Sequence, residues 1–365
     1  MKKTLFLLFA LSLAFKINAQ NYNLLVGTYT NKGNSEGIYV YDFNAKTAET
    51  KLKSSTKAVN PSYLAISKDN KFVYTVNEDG KTSAVSAFSF NSKSGALTFL
   101  NKKSSEGADP CYISIDDKNV ILANYSGGTI SVFGRNADGT LTDAKQIIKH
   151  TGKSIDPKRQ TSAHVHMVQF SPDKKFLIAN DLGEDQIYIY TYNPTSATKV
   201  LTVKNVIKTN PGSGPRHLAF TPNGKFAYLA HEFTGSITAF SYTKGNLHKL
   251  QDIGTTLKDF KGKIDGADIH LSPDGKFLYE TNRGDANEIS LFAIAKDGIL
   301  TFIETVNTLG KGPRNFAIDP SGNHLLVAHQ YTNDVVIFNR NPTTGKLKDS
   351  SKRINVGVPV CLVFK

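Results

Sequence analysis

Residues 214–232 read GPRHLAFTPNGKFAYLAHE: a short alternating run, a Thr-Pro-Asn-Gly-Lys turn, and a second alternating run. Period-two alternation with β-branched and aromatic residues, broken by an Asn-Gly turn, predicts two antiparallel strands. The same phrase recurs as NPSYLAISKDNKFVYTVNE (60–78), DPCYISIDDKNVILANY (109–125), AHVHMVQFSPDKKFLIAND (163–181), GADIHLSPDGKFLYETNR (266–283) and GPRNFAIDPSGNHLLVAHQ (312–330). Aligned on Arg216, these copies place Ser62, Cys111, His166, Ala267 and Arg314 at the same point, with separations of 49, 55, 50, 51 and 47 along the ring. A period near fifty built from short strands is the signature of a β-propeller.

Each copy continues into a third alternating run, such as GSITAFSY, and a weaker fourth after a GxL turn, such as GILTFIET. Four strands per blade follow. The chain ends on VGVPVCLVFK, which aligns as a first strand with nothing after it. Near the start, NYNLLVGTYT aligns as a second strand and GIYVYDF as a third. The two ends are therefore expected to complete a seventh blade together, which closes the ring and hides its sheet edges. The fold class expected is all-β: one seven-bladed propeller of four-stranded blades over residues 20–365.

Residues 1–19 stand apart. Lys2 and Lys3 precede an apolar run from Thr4 to Phe15, and Ala19 ends the segment as a signal-peptidase site would. The reading is a signal peptide and an exported chain, periplasmic or secreted. Cleavage would remove Lys2, Lys3 and Lys16 and lower the formal charge from +13 to +10. That charge is scattered rather than gathered into a basic stripe, which argues against nucleic acid as a partner. No segment is long and apolar enough for insertion into a membrane. Two cysteines, Cys111 and Cys361, are too few for a disulfide framework, and one bridge between them stays open. Oligomeric state is not legible.

The start of each first strand and the end of each second strand lie at one end of the blade, so both are expected at one mouth of the central channel. The first column is Ser62, Cys111, His166, Arg216, Ala267, Arg314 and Val360; the second is Thr28, Asn77, Asn124, Asn180, His231, Asn282 and His329. One residue on lie Tyr29, Glu78, Tyr125, Asp181, Glu232, Arg283 and Gln330. The turns at the other end repeat the same Pro, Asp, Gly and Lys, whereas the mouth residues differ from blade to blade. Variation at a fixed position marks the mouth as the functional surface. The recurring Asn/His column also has a structural reading, as groups that satisfy exposed backbone.

Arginine presents a planar fork of donors suited to carboxylate or phosphate, and two or three around one funnel would hold an anionic ester or lactone. Glu232 or a histidine could activate water there. Arg216 and Glu232 are one hairpin apart, so contact between them would keep the glutamate ionised. His164 and His166 alternate and suggest a metal pair, but no third ligand is evident. No GxSxG elbow or phosphate-binding glycine loop is present, and no cofactor is expected. Cys111 reads better as a buried thiol than as a nucleophile.

The chain resembles the seven-bladed lactonase family, which comprises the propeller-type 6-phosphogluconolactonases and the carboxy-muconate lactonizing enzymes. The resemblance spans residues from LLVGTYT to the last strand and rests on NPSYLAIS, DPCYISID with ANYSGGTISVF, HVHMVQFSPD, GPRHLAFTPNGKFAYLAHE and ETNRGDANEISLF. It implies hydrolysis of 6-phosphogluconolactone without a metal or, in the muconate branch, reversible lactone closure by proton transfer. The histidine, arginine, glutamate and second arginine of that branch fall on His164 or His166, Arg216, Glu232 and Arg283. Arg314, Asn124, Asn180, His231, Asn282 and His329 complete the expected set as substrate-binding residues. A cytosolic metabolite and an export signal sit uneasily together, so the lactone is left open. Two other readings compete: a metal-dependent lactonase using Asn124, Asn180 and Glu232, and an exported propeller that binds a partner or glycan without turnover.

Overall fold

The computed structural model describes residues 20–365, so the proposed signal peptide of residues 1–19 lies outside the described residues. The quoted stretch forms the strands Pro215–Phe220 and Phe226–His231. Between them Gly224 takes φ +67°, a left-handed conformation that glycine adopts without steric cost. The Thr221 hydroxyl bonds Asn223 at 2.8 Å and the Phe226 amide at 3.0 Å, which locks the turn. Ser236–Thr243 and Asn246–Gly254 follow as outer strands and finish the blade.

Seven such four-stranded antiparallel sheets are present, and neighbouring inner strands touch all the way round. Numbering blades by chain order, blade 1 is composite. Its inner strand is Pro359–Phe364, followed outward by Asn21–Thr28, Gly37–Asn44 and Thr50–Lys57. The C-terminal strand pairs with the N-terminal one from Leu24↔Phe364 to Thr28↔Pro359, so sheet hydrogen bonds close the ring. The one helical segment among the described residues is a single turn at Gly80–Thr82.

The core lies between blades rather than inside any one of them. On the second strand of blade 5, Ala227 and Leu229 pack with Met167 and Ile178 of blade 4, while Tyr228 and Ala230 pack with Ile269 and Leu278 of blade 6. Successive strand residues point to opposite faces, so one alternating run serves two interfaces. Fully burying each of the larger aliphatic side chains contributes about 1.5–3 kcal/mol.

One irregularity places the functional residues. The pairing of Pro215 with His231 and of Leu218 with Leu229 leaves an extra residue on the inner strand at Arg216–His217. Blade 6 repeats this at Ala267–Asp268, and blades 3, 4 and 7 also shift register near their inner-strand starts. A bulge re-aims side chains and ends regular pairing. It lets two consecutive residues, such as Arg216 and His217, both reach the channel axis. Cys111 and Cys361 are both buried and unpaired.

Candidate active site

The channel is a cup with a floor. Tyr63 and Tyr112 stack with ring centres 4.1 Å apart, and the edge of His217 meets them at 6.1 and 5.2 Å. His217 Nδ1 lies 2.8 Å from Asp268 Oδ1, and His270 Nε2 lies 2.9 Å from Oδ2. Asn315 donates to Oδ2 at 2.5 Å, and the Ile269 amide donates to Oδ1 at 3.0 Å. Beyond this layer a separate cavity of about 280 Å³ opens at the turn end, lined by Tyr63, Tyr112, His217, Asp268 and His270.

Above the floor, Glu232 is the centre of the cup. It follows the second strand of blade 5, where strand pairing has ended and the side chain is free to turn to the axis. Its Oε2 accepts from Arg216 Nε at 3.0 Å and from Arg283 at 3.0 Å; Oε1 accepts from Arg159 at 2.6 Å. Burial alone would raise the Glu232 pKa, but Arg283, Arg216 and Arg159 outweigh it and hold the carboxyl down at about 2. Arg216 also donates to the Ala267 carbonyl, and Arg283 donates to Asp265 at 2.8 Å. Burial, together with Arg283 and Arg314, lowers Arg216 to about 10, which leaves it cationic at neutral pH.

His166 Nε2 stands 4.0 Å from Glu232 Oε2. Burial, Arg216, His217 and Arg314 push its pKa well below the usual histidine value, so the ring is neutral and has a lone pair to offer. His164 lies higher on the rim, stacked on Tyr125 at 4.5 Å with Nδ1 3.0 Å from the Tyr125 carbonyl. Across the cup, the Arg314 guanidinium lies over the Tyr29 ring at 5.6 Å, and the Tyr29 hydroxyl donates to Glu78 at 2.8 Å. Among the described residues Arg314 makes no ion pair and no hydrogen bond, so its fork of donors is uncommitted.

The structure thus gathers His166, Arg216, Glu232 and Arg283 into one cluster, with His164 beside it and Arg314 facing it. It places the second column differently from the sequence expectation. Asn124, Asn180, His231, Asn282 and His329 are buried in their blades and do not line the mouth. Asn124 donates to Thr129 and Ser131, both at 2.9 Å; His231 meets Thr238 at 2.8 Å; Asn282 accepts the Asp265 amide at 3.0 Å; His329 Nδ1 lies 3.2 Å from Asp334. These five are still in the strand, where the pleat turns them into the blade; in blades 5 and 6 the residue that follows, Glu232 or Arg283, is the one that turns to the cup. Asn180 alone reaches the cluster: it donates to the Arg216 carbonyl at 3.0 Å and steadies the bulge.

Arg159 was not found by reasoning from sequence. It belongs to no repeat column, because it sits in the connection between Leu141–Lys149 and Val165–Phe170. The signal was the spacing: 55 residues from Cys111 to His166, the longest step in the ring, marks a loop with extra chain. Tyr125 and Glu78 stood in the third column without being selected.

Cys111 lies 3.8 Å from His166 Nδ1, but burial raises its thiol pKa, so it is no ready thiolate. His150, Asp181 and Glu184 are the group of three possible metal ligands among the described residues. Both His150 nitrogens are occupied, at 2.7 Å to Asp181 and 2.7 Å to Tyr190. Glu184 takes the Gly152 amide and the Tyr188 hydroxyl. That group is a closed hydrogen-bond network, and among the described residues His164 and His166 belong to no group of three possible metal ligands.

Residues 23–364 match the family model described as "Lactonase, 7-bladed beta-propeller". A 6-phosphogluconolactonase of Formosa agariphila is 38% identical over 333 residues, 89% of this chain and 94% of that protein. A 6-phosphogluconolactonase of Bacillus subtilis is 36% identical over 345 residues, 93% of this chain and 97% of that protein. Among solved structures, the periplasmic gluconolactonase of Pseudomonas aeruginosa is 36% identical, with a TM-score of 0.91 over 94% of this chain and 99% of that one.

Proposed function

The chain belongs to the seven-bladed β-propeller lactonase family, and we propose that its cup hydrolyses an anionic sugar lactone, with 6-phosphogluconolactone as the leading substrate. The observation that carries this reading is the pairing of a neutral, buried His166 with an uncommitted Arg314 across one small cup. Arg314 polarises the lactone carbonyl and stabilises the oxyanion that forms when water adds. His166 Nε2 accepts the proton from that water, and the imidazolium so formed rests against Glu232 Oε2 at 4.0 Å. Collapse of the tetrahedral adduct breaks the ring C–O bond, the imidazolium returns its proton to the leaving hydroxyl, and the product is the open-chain acid.

Glu232 serves better as a counter-charge than as the base. Both its oxygens are occupied by guanidinium groups, which hold it as a carboxylate. Arg216 and Arg283 fix it in place. The electrophilic role falls to arginine, and the reading asks nothing of a metal.

We further propose that residues 1–19 direct export to the periplasm or beyond. This is supported by the basic start, the apolar run and Ala19, and by the likeness to a periplasmic gluconolactonase. The test of function is turnover of 6-phosphogluconolactone and unphosphorylated gluconolactone by purified protein, corrected for spontaneous opening, with and without chelator. Chelator-resistant turnover that His166→Ala removes is the expected result. Full turnover in His166→Ala would refute the assignment of the base.

A further inference from the structure

Three guanidinium groups hold Glu232, and they are not equivalent. The side chains of Arg216 and Arg283 are 2% and 8% exposed and are bound to fixed backbone or carboxylate partners as well. Arg159 is 44% exposed, comes from a loop rather than a blade, and has as its other polar partner the Tyr125 hydroxyl at 3.1 Å. Its guanidinium lies over the Phe233 ring at 4.8 Å, a flat surface across which it can slide without losing its cation–π contact.

The loop beneath it is built to stay still. Its two ends are held by the buried network, through the Gly152 amide on Glu184 and the His164 amide on Asp181 at 2.8 Å. Inside the loop, Asp156 Oδ1 accepts the Lys158 and Arg159 amides at 2.8 and 2.9 Å, and the buried Gln160 side chain donates to the Leu182 carbonyl at 2.8 Å. With the backbone so pinned, movement at this point is movement of the Arg159 side chain.

We infer that Arg159 is the residue that selects lactones carrying a second anionic group. It rests on Glu232 Oε1 and transfers to the distal phosphate or carboxylate of the substrate. The inference rests on the lactonase reading above. Position supports the division of labour: Arg314 shares the inner column with His166 and meets the carbonyl, whereas Arg159 is on the rim and meets the far end of the ligand. Charge supports it too. An incoming dianion competes with one carboxylate for a solvent-accessible guanidinium, and bidentate phosphate–arginine pairing is among the strongest charge-assisted contacts available. Release of Oε1 then leaves Glu232 with two fixed guanidiniums and more of its charge free to face the His166 imidazolium. Distal anion binding should therefore assist kcat as well as KM.

The test compares wild type, Arg159→Gln and Arg159→Lys in two assays. The first is kcat and KM on 6-phosphogluconolactone and on gluconolactone. The second is calorimetric binding of the stable products, 6-phosphogluconate and gluconate, which needs no turnover. The expected result is a wild-type preference for the phosphorylated compound in both assays. That preference should shrink at least tenfold in Arg159→Gln, with part of the loss in kcat, and should be partly restored in Arg159→Lys. Equal losses on both compounds would overturn the inference and leave Arg159 as a mere brace for Glu232. A wild type that binds gluconate as tightly as 6-phosphogluconate would also overturn it. Selective binding without turnover of either lactone would instead uphold Arg159 and count against the lactonase reading.

Discussion

The two ends of the central channel are both built around a buried carboxylate, and they differ in who its partners are. At the floor, Asp268 receives His217, His270, Asn315 and the amides of Ile269 and Phe316, all from inner strands. At the mouth, Glu232 receives two arginines from blades and a third from a half-exposed loop, while a fourth arginine, Arg314, stands opposite over the Tyr29 ring, with no ion pair or hydrogen bond among the described residues. The floor's donors are all fixed on inner strands, and they tie neighbouring blades together. The mouth keeps exchangeable and surplus donors, which is what an anionic ligand requires. Two buried acids on one channel can thus have different work, decided by whether their partners are fixed.

Removing charge from the mouth should give the largest effects. Glu232→Gln is expected to cut turnover by roughly a thousandfold or more, since it removes the counter-charge to the His166 imidazolium. Because it also strips Arg216 and Arg283 of a buried partner, it should destabilise the fold by about 3–5 kcal/mol. Denaturant unfolding beside steady-state kinetics separates the two losses. An active, fully stable variant would break the comparison. Arg314→Ala should lower kcat by about 10²–10³, the usual consequence of losing one oxyanion donor. Its unfolding midpoint should stay near wild type, because the guanidinium bonds nothing that folding depends on.

At the floor the same kind of change should act on stability alone. Asp268→Asn is expected to cost about 1–3 kcal/mol as His217 and His270 lose their acceptor. The ratio of phosphorylated to unphosphorylated substrate specificity should not move. A changed ratio would show that the two ends communicate.

A pH-dependent effect sharpens the rule that partners decide the role of a buried acid. Glu280 occupies a place where other blades have Val26, Leu122, Ile178, Leu229 and Val327. It is buried, neither carboxyl oxygen has a well-formed hydrogen bond among the described residues, and burial raises its pKa from 4.5 to about 8. The unfolded chain releases this proton near 4.5, while the folded chain keeps it to about 8. Stability from this group is therefore full below the lower value and declines between the two, by roughly 1.4 kcal/mol per pH unit. Glu280→Gln should flatten that slope in thermal unfolding between pH 5 and 8, and an unchanged slope would refute the assignment.

Much of this was legible before any coordinates. A repeat near fifty residues built from short alternating strands and bland turns is the pattern of a propeller, and the composite blade followed from which strand each terminus matched. His166, Arg216, Glu232 and Arg283 were legible because each occupies a column whose other members differ. The alignment erred by one residue in depth: Asn124, Asn180, His231, Asn282 and His329 were expected at the mouth, but the last pleat of the strand turns them into the blade. The bulges could not be read either, since an extra residue on the inner strand shows only in the register, and they are why Arg216 and His217 both face inward. Arg159 was out of reach of column logic, because it is carried by an extended connection rather than by a repeated strand. Only the 55-residue step hinted at it.

The most direct test of the cup as a lactonase site is the hydrolysis of 6-phosphogluconolactone by residues 20–365, measured with chelator present and repeated with Arg314→Ala. The account predicts rapid opening above the spontaneous rate by the wild type, and a loss of about 10²–10³ in the folded variant. Turnover that chelator abolishes, or that survives intact without Arg314, would contradict it.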